Sequence, residues 1–196
     1  MIKLFGIAGS PRRGGNSELL LDEVLRGAKD AGADAEKIVA ASMKIAPCNE
    51  CGSCNSTGEC IIDDDMQMVY QKLMEADRIV LATPVFFAGV SSHAKMLIDR
   101  CQALWAGKYL LGKSLQREGS AIKREGMLIS VAAAKGSTVF DCVMKTAKYF
   151  YLAIDVDYEH NLLYDNIEGK GDILKHQAAL KDAYEKGRVL GEENDI

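Results

Sequence analysis

The chain has 196 residues, 48% of them hydrophobic and 27% charged, with a formal net charge of −4. That length buries a sizeable core in one ordinary domain without disulfide support, and the acidic balance argues against a phosphate-neutralising nucleic-acid surface. No apolar run approaches the roughly 20 residues that cross a bilayer, which excludes an α-helical membrane span.

Apolar runs alternate with helical periodicity along the chain, the pattern of a parallel α/β sheet. A first strand is predicted over Ile2–Ala8, so early that no basic and hydrophobic leader fits before it. The expectation is therefore a cytoplasmic chain whose thiols are kept reduced. A glycine-rich turn, Gly9–Gly15, leads into a helix over about 17–31, with Leu20, Leu21, Val24 and Leu25 on its buried face. A weaker second strand over about 35–41 runs into a cysteine-rich loop. Asp63, Asp64 and Asp65 then open a helix in which Met66, Val69, Leu73 and Met74 face inward. Strand three is predicted over 78–82, followed by a turn over 83–90 and a helix over about 91–104. Strand four covers 127–132, a helix about 138–150, strand five about 152–158, and a last amphipathic helix about 171–189.

Five strands and five helices suit a doubly wound parallel sheet of order 2-1-3-4-5 with helices on both faces, although the pattern also admits 3-2-1-4-5. The chain reads as a single domain, 1–196, with the cysteine-rich loop at 47–62 and an inserted arm at about 105–125. Parallel strands place all their carboxyl ends on one edge of the sheet, so the glycine turn, the cysteine loop and the turns after strands three and four share that edge. Ligands of open α/β sheets bind there, where the strand order reverses.

Four of the six cysteines fall within thirteen residues, as Cys48-x-x-Cys51-x-x-Cys54-x5-Cys60. Thiolates repeated every third residue can turn toward one small object, and soft sulfur ligands favour an iron–sulfur cluster or zinc. Three close cysteines with a more distant fourth suit a 4Fe–4S cubane, because one short loop wraps three of its corners. Structural zinc more often takes two separate arms. Free redox thiols are the remaining reading, and the expected compartment argues against a disulfide pair.

The turn Gly9-Ser10-Pro11-Arg12-Arg13-Gly14-Gly15-Asn16-Ser17 sits between a strand and a helix. Its hydroxyls, amide and backbone N–H groups suit a phosphate at the positive end of the helix, with Arg12 or Arg13 as a two-pronged partner. It is neither a three-glycine dinucleotide turn nor a Walker loop. The plainer reading is a strand-to-helix connection that Asn16 or Ser17 caps.

Gly9-Ser10-Pro11-Arg12 with Asn16-Ser17, then Thr83-Pro84-Val85-Phe86-Phe87-Ala88-Gly89, then Lys95-x3-Asp99-Arg100 resembles the NADPH-dependent FMN reductase family of flavodoxin-like proteins. The cysteine quartet, with Asp64-Asp65-Met66 behind it, resembles the iron–sulfur flavoprotein branch of that family. The resemblance covers most of residues 1–105. It implies that Ser10, Arg12, Asn16 and Ser17 hold an FMN phosphate, that Pro84, Val85, Phe86, Phe87 and Gly89 line the isoalloxazine, and that Cys48, Cys51, Cys54 and Cys60 hold a 4Fe–4S cluster. It further implies a flavin-dependent oxidoreductase, a homodimer or homotetramer, that passes electrons between a ferredoxin-like one-electron donor or NAD(P)H and a small acceptor; the charge and hydropathy above add the expectation of neither nucleic acid nor membrane as partner. The alternatives are an NAD(P)H-dependent FMN or quinone reductase whose cysteines are free or bind zinc, and a flavodoxin-type electron carrier without turnover. The turn after strand four, Val131-Ala132-Ala133-Ala134-Lys135-Gly136-Ser137, departs from the Gly-Gly turn frequent in the family.

Other candidates have ordinary explanations. Cys101 and Cys142 are expected to be buried core cysteines. Residues 108–124, with five basic side chains, are expected to be a solvated connector. His93 follows the flavin turn closely, but His93, His160 and His176 form no catalytic pair in sequence.

Overall fold

The computed structural model describes residues 1–117 and 119–193. Its strands are β1 (Lys3–Ala8), β2 (Asp34–Val39), β3 (Arg78–Pro84), β4 (Glu125–Val131) and β5 (Asp157–Tyr164). They form one parallel sheet in the order β2-β1-β3-β4-β5, the first of the two predicted orders. The order reverses between β1 and β3, whose carboxyl ends meet at Ala8 and Ala82. The helices are α1 (Asn16–Asp30), α2 (Cys54–Thr57), α3 (Met66–Glu75), α4 (Ser92–Arg100), α5 (Gln102–Tyr109), α6 (Asp141–Ala153) and α7 (Gln177–Gly191).

Alternate residues of each central strand feed two separate cores, because side chains of a strand point to opposite faces. Leu4, Ala8, Val80, Ala82, Met127 and Ile129 pack with Leu20, Leu21 and Val24 of α1 and Ala179 and Ala183 of α7. Phe5, Ile7, Ile79, Leu81 and Leu128 pack on the other face with α3, α4 and α6 through Val69, Leu73, Leu97, Val143 and Phe150. Burial on both faces explains why β1, β3 and β4 read as continuous apolar runs. On the first face, α1 and α7 approach so closely that a side chain at Gly27 or Gly187 would run into the backbone of the opposite helix.

Four expectations need correction. Strand five is Asp157–Tyr164, not 152–158: α6 continues to Ala153, and the chain then turns through Asp155 at φ 59°. Ile154 and Val156 are apolar because they plug the core at that turn, whereas β5 is a partly exposed edge strand of mixed composition. The predicted helix over 91–104 is two helices, broken at Cys101. Met74 is exposed at the end of α3. The segment after α5 is also not solvated throughout, since Leu115 and Arg124 are buried. Arg124 donates to the carbonyls of Ala76, Leu115 and Ile154 at 3.0, 3.1 and 2.7 Å and so ties the ends of α3 and α6 together.

Candidate functional site

Two clefts carry the sequence-predicted residues. The first, about 200 Å³, opens at the carboxyl end of β1 and β3 and is lined by Ser10, Arg12, Asn16, Ser17, Pro84, Val85 and Phe86. The turn after β1 is held by itself: the Arg12 N–H donates to Ser10 Oγ at 3.1 Å, and the Gly15 N–H donates to the Arg12 carbonyl at 3.0 Å. A Cβ at Gly15 would stand 2.9 Å from that carbonyl, so the turn requires glycine there. Gly15 rather than Asn16 or Ser17 is the residue that precedes α1, and no side chain caps it among the described residues. The first N–H groups of α1 are therefore left for an anion.

The two arginines separate. Arg13 lies 3.7 Å from Glu18, whose other oxygen accepts from the Gly14 N–H at 2.7 Å. Glu18 is buried, which alone would raise its carboxyl, but hydrogen bonds from Lys37 and Gly14 outweigh that and hold it below the usual range. Arg12 makes no such pair among the described residues and lines the cleft. Asn16 is committed differently from expectation: its Nδ2 donates to the Gly169 carbonyl at 2.9 Å, and its Oδ1 accepts from the Ile173 N–H at 3.2 Å. It pins the segment after β5 over the cleft.

That segment supplies residues the sequence did not reveal. Ile167, Glu168 and Lys170 line the cleft, together with Val131 and Ala133 from the end of β4. The small Ala133 thus forms part of the wall. After β3, the Val85 N–H donates to the Val131 carbonyl at 3.0 Å, and Phe86 and Gly89 exchange two backbone hydrogen bonds of 2.9 Å. The two residues between them, Phe87 and Ala88, have φ of 48° and 61°, a primed hairpin turn. Phe87 projects into solvent at its tip, and neither Phe87 nor Gly89 lines the cleft, in contrast to Pro84, Val85 and Phe86. His93 does not line it either.

The second cleft, about 460 Å³, is lined by Cys48, Cys51, Cys54 and Cys60 together, with Ile61, Ile62, Asp99, Arg100, Gln102 and Ala103. Cys48 and Cys51 are exposed, and Cys54 and Cys60 are half-buried against the core. All are free thiols, and no group of three or more His, Cys, Asp or Glu among the described residues stands close enough to hold a single metal ion. Burial raises the Cys54 thiol, whereas the Ser53 hydroxyl lowers that of Cys51. Glu50, Gly52 and Gly58 carry φ of 56°, 74° and 73°, so the loop doubles back repeatedly.

Beneath the loop, Asp64 and Arg100 close its base. Arg100 Nη1 donates to Asp64 at 2.7 Å and to the Ala46 carbonyl at 2.8 Å, while Nη2 reaches Asp64 at 3.2 Å and the Ile62 carbonyl at 3.4 Å. Asp64 also accepts from the N–H groups of Ala46 and Met66, so it does more than cap α3. Desolvation would raise its carboxyl, yet Arg100 and these N–H groups hold it below the ordinary value.

The two clefts are joined through α4. At its start, Ser91 accepts from the Ala94 N–H at 3.2 Å, and its hydroxyl donates to the Gly9 carbonyl of the phosphate-type turn. At its end stands Arg100. Elsewhere, a groove of about 540 Å³ lies between α4–α5 and α6, beside Trp105, Cys142 and Tyr149. Cys142 is exposed rather than buried, while Cys101 is buried as expected.

The fold is a flavodoxin-like doubly wound sheet whose switch point carries a glycine-rich turn. The chain belongs to the NADPH-dependent FMN reductase family, whose description matches residues 2–149. It is 42% identical over 112 residues to an iron–sulfur flavoprotein of Methanocaldococcus jannaschii, covering 57% of this chain and 58% of that one. An iron–sulfur flavoprotein of Methanosarcina thermophila is 37% identical over 123 residues, covering 61% of this chain and 64% of that one. The matches thus span about three-fifths of these relatives' lengths. Among solved structures, an NAD(P)H:quinone oxidoreductase from Methanothermobacter marburgensis covers all of the chain and 98% of its own, with a TM-score of 0.72 at 16% identity, a likeness of fold.

Proposed function

We propose that this chain is a flavin-dependent oxidoreductase that holds FMN in the first cleft and a 4Fe–4S cluster in the second. Electrons would pass between a ferredoxin-like donor or NAD(P)H and a small acceptor. The observation that carries the reading is the convergence of all four cysteines on one cavity, on the sheet edge that also bears the anion-ready turn. FMN supplies two-electron and the cluster one-electron chemistry, so together they would link the two kinds of redox partner.

The chain's own residues bind and position. Arg12, Ser10 and the first N–H groups of α1 would take the FMN phosphate, with Lys170 adding charge at the rim. Pro84, Val85 and Phe86 would offer apolar surface to the isoalloxazine. The loop over 47–62 would supply thiolates on one side, with Arg100 and Ala103 lining the other. No side-chain acid or base is needed for electron transfer itself. The family's behaviour supports a homodimer or homotetramer.

Iron, sulfide, zinc and flavin content of protein purified without oxygen tests the reading. About four iron and four sulfide per chain with one FMN are expected. FMN with zinc or no metal would instead make it a plain NAD(P)H-dependent flavin or quinone reductase. Absence of turnover with both ferredoxin and NAD(P)H would leave an electron carrier.

A further inference from the structure

Arg100 is one of the largest fully buried side chains of the molecule, with an exposure of 1%. A buried guanidinium must satisfy five N–H donors in a fixed fork, and each donor left without a partner carries a desolvation cost. Its two terminal nitrogens are used: they reach Asp64, Ala46 and Ile62. Ala46 and Ile62 flank the cysteine loop on its two sides, so one side chain holds both ends of the loop. The third nitrogen is different. Arg100 Nε is buried and has no hydrogen-bond partner among the described residues. Arg100 also lines the cavity shared by the four cysteines.

We propose that Arg100 is a positioning residue of the four-cysteine site, whose Nε–H donates to a sulfur of the anionic group held there. This rests on the reading of the second cleft as a cluster site. The chemistry favours it. A cluster and its thiolates present sulfur acceptors with net negative charge, and a buried cation hydrogen-bonded to sulfur favours the more reduced, more negative state. Arg100 then has two tasks, closing the loop base through its terminal nitrogens and raising the cluster's reduction potential through Nε. Asp64 keeps the fork oriented, since its carboxylate takes both terminal nitrogens.

The test uses full-length protein purified without oxygen, as wild type, R100Q and R100K. The readouts are iron and FMN per chain and the cluster midpoint in a titration followed by electron paramagnetic resonance. R100Q is expected to shift the midpoint downward and to lose part of its iron, with FMN unchanged. R100K retains the charge but lacks Nε, so its midpoint is expected to fall between the other two. It also serves should R100Q fail to accumulate. A cluster with the same midpoint in wild type and R100Q overturns the proposal, because a loop strap alone would alter occupancy without moving the potential. A wild-type midpoint in R100K removes the Nε–H bond from the explanation and overturns it likewise. Zinc or no metal in the wild-type chain overturns the cluster reading itself, an outcome visible before any variant is compared.

Discussion

Single residues decide the two clefts separately. At the first, Arg12 stands without the ion pair that occupies Arg13, so R12A is expected to remove one charge-assisted contact to the FMN phosphate. That contact is worth about 1.5–3 kcal/mol, or about a ten- to hundredfold weaker Kd by flavin fluorescence titration. An equally tight R12A would assign the phosphate elsewhere. Beneath the second cleft, Asp64 and Arg100 form an ion pair with side-chain exposures of 11% and 0%. Removing one partner of such a pair leaves a buried charge, and D64A is expected to lose about 3–5 kcal/mol in urea unfolding. The pair also dictates a pH dependence. The Asp64 carboxyl is depressed in the folded chain, so its contribution is complete above the unfolded value of about 3.9 and is lost as pH falls through the lower folded value. Urea midpoints measured across the acid range should decline less steeply in D64A than in wild type. Equal slopes would show that the pair carries no acid dependence.

Elements carry these residues, and the sequence shows some of them better than others. β1, β3 and β4 are legible as apolar runs because both faces of each are covered. β5 is not, since an edge strand of mixed exposure resembles a loop while the apolar plug Ile154–Val156 resembles a strand. The turns after β1 and β3 are legible because their residue types are local necessities. Ile167, Glu168 and Lys170 were hidden: a polar connection more than 150 residues from Asn16 gives no local sign of returning to it. The position of Phe87 was hidden for the opposite reason. It looks like cofactor wall in sequence, yet the primed turn throws it outward. The same scale governs the α1–α7 crossing. G187A should gain about 1 kcal/mol of helix propensity. Its methyl group meets backbone of Val24, which has no rotamer to yield, and overpacking of this kind costs about 1–3 kcal/mol or more. A lowered Tm with weaker FMN binding is expected, because α1 begins at the first cleft; an unchanged Tm would mean that the crossing relaxes freely.

For the whole molecule, the two cores lie against the sheet while two of the four loop cysteines are exposed. The sheet's two cores are built mainly from residues outside the cysteine loop. Replacing Cys48, Cys51, Cys54 and Cys60 by serine together is expected to abolish iron binding. FMN stoichiometry should be retained, and the Tm should fall only modestly below that of metal-free wild type: exposed substitutions such as those at Cys48 and Cys51 usually change stability by about 0.5 kcal/mol or less, and half-buried Cys54 and Cys60 carry most of the loss. Loss of FMN in that variant would show that the clefts are not independent in binding. Communication between them would then run through α4, whose first turn is fastened to Gly9 and whose last residue is Arg100.

The narrow stem of the cysteine loop has a consequence for ancestry. The Asp65 N–H donates to the Lys44 carbonyl at 3.2 Å, and the carbonyls of Ala46 and Ile62 share one guanidinium. An excursion whose two ends already meet is a cassette: it can be gained or lost in a single genetic event without redrawing the sheet around it. Exchanging residues 47–61 for a short glycine turn should leave a folded flavin-binding chain, readable from its Tm and bound FMN. Descent with and without the cassette would then yield one-cofactor and two-cofactor lineages from a common scaffold.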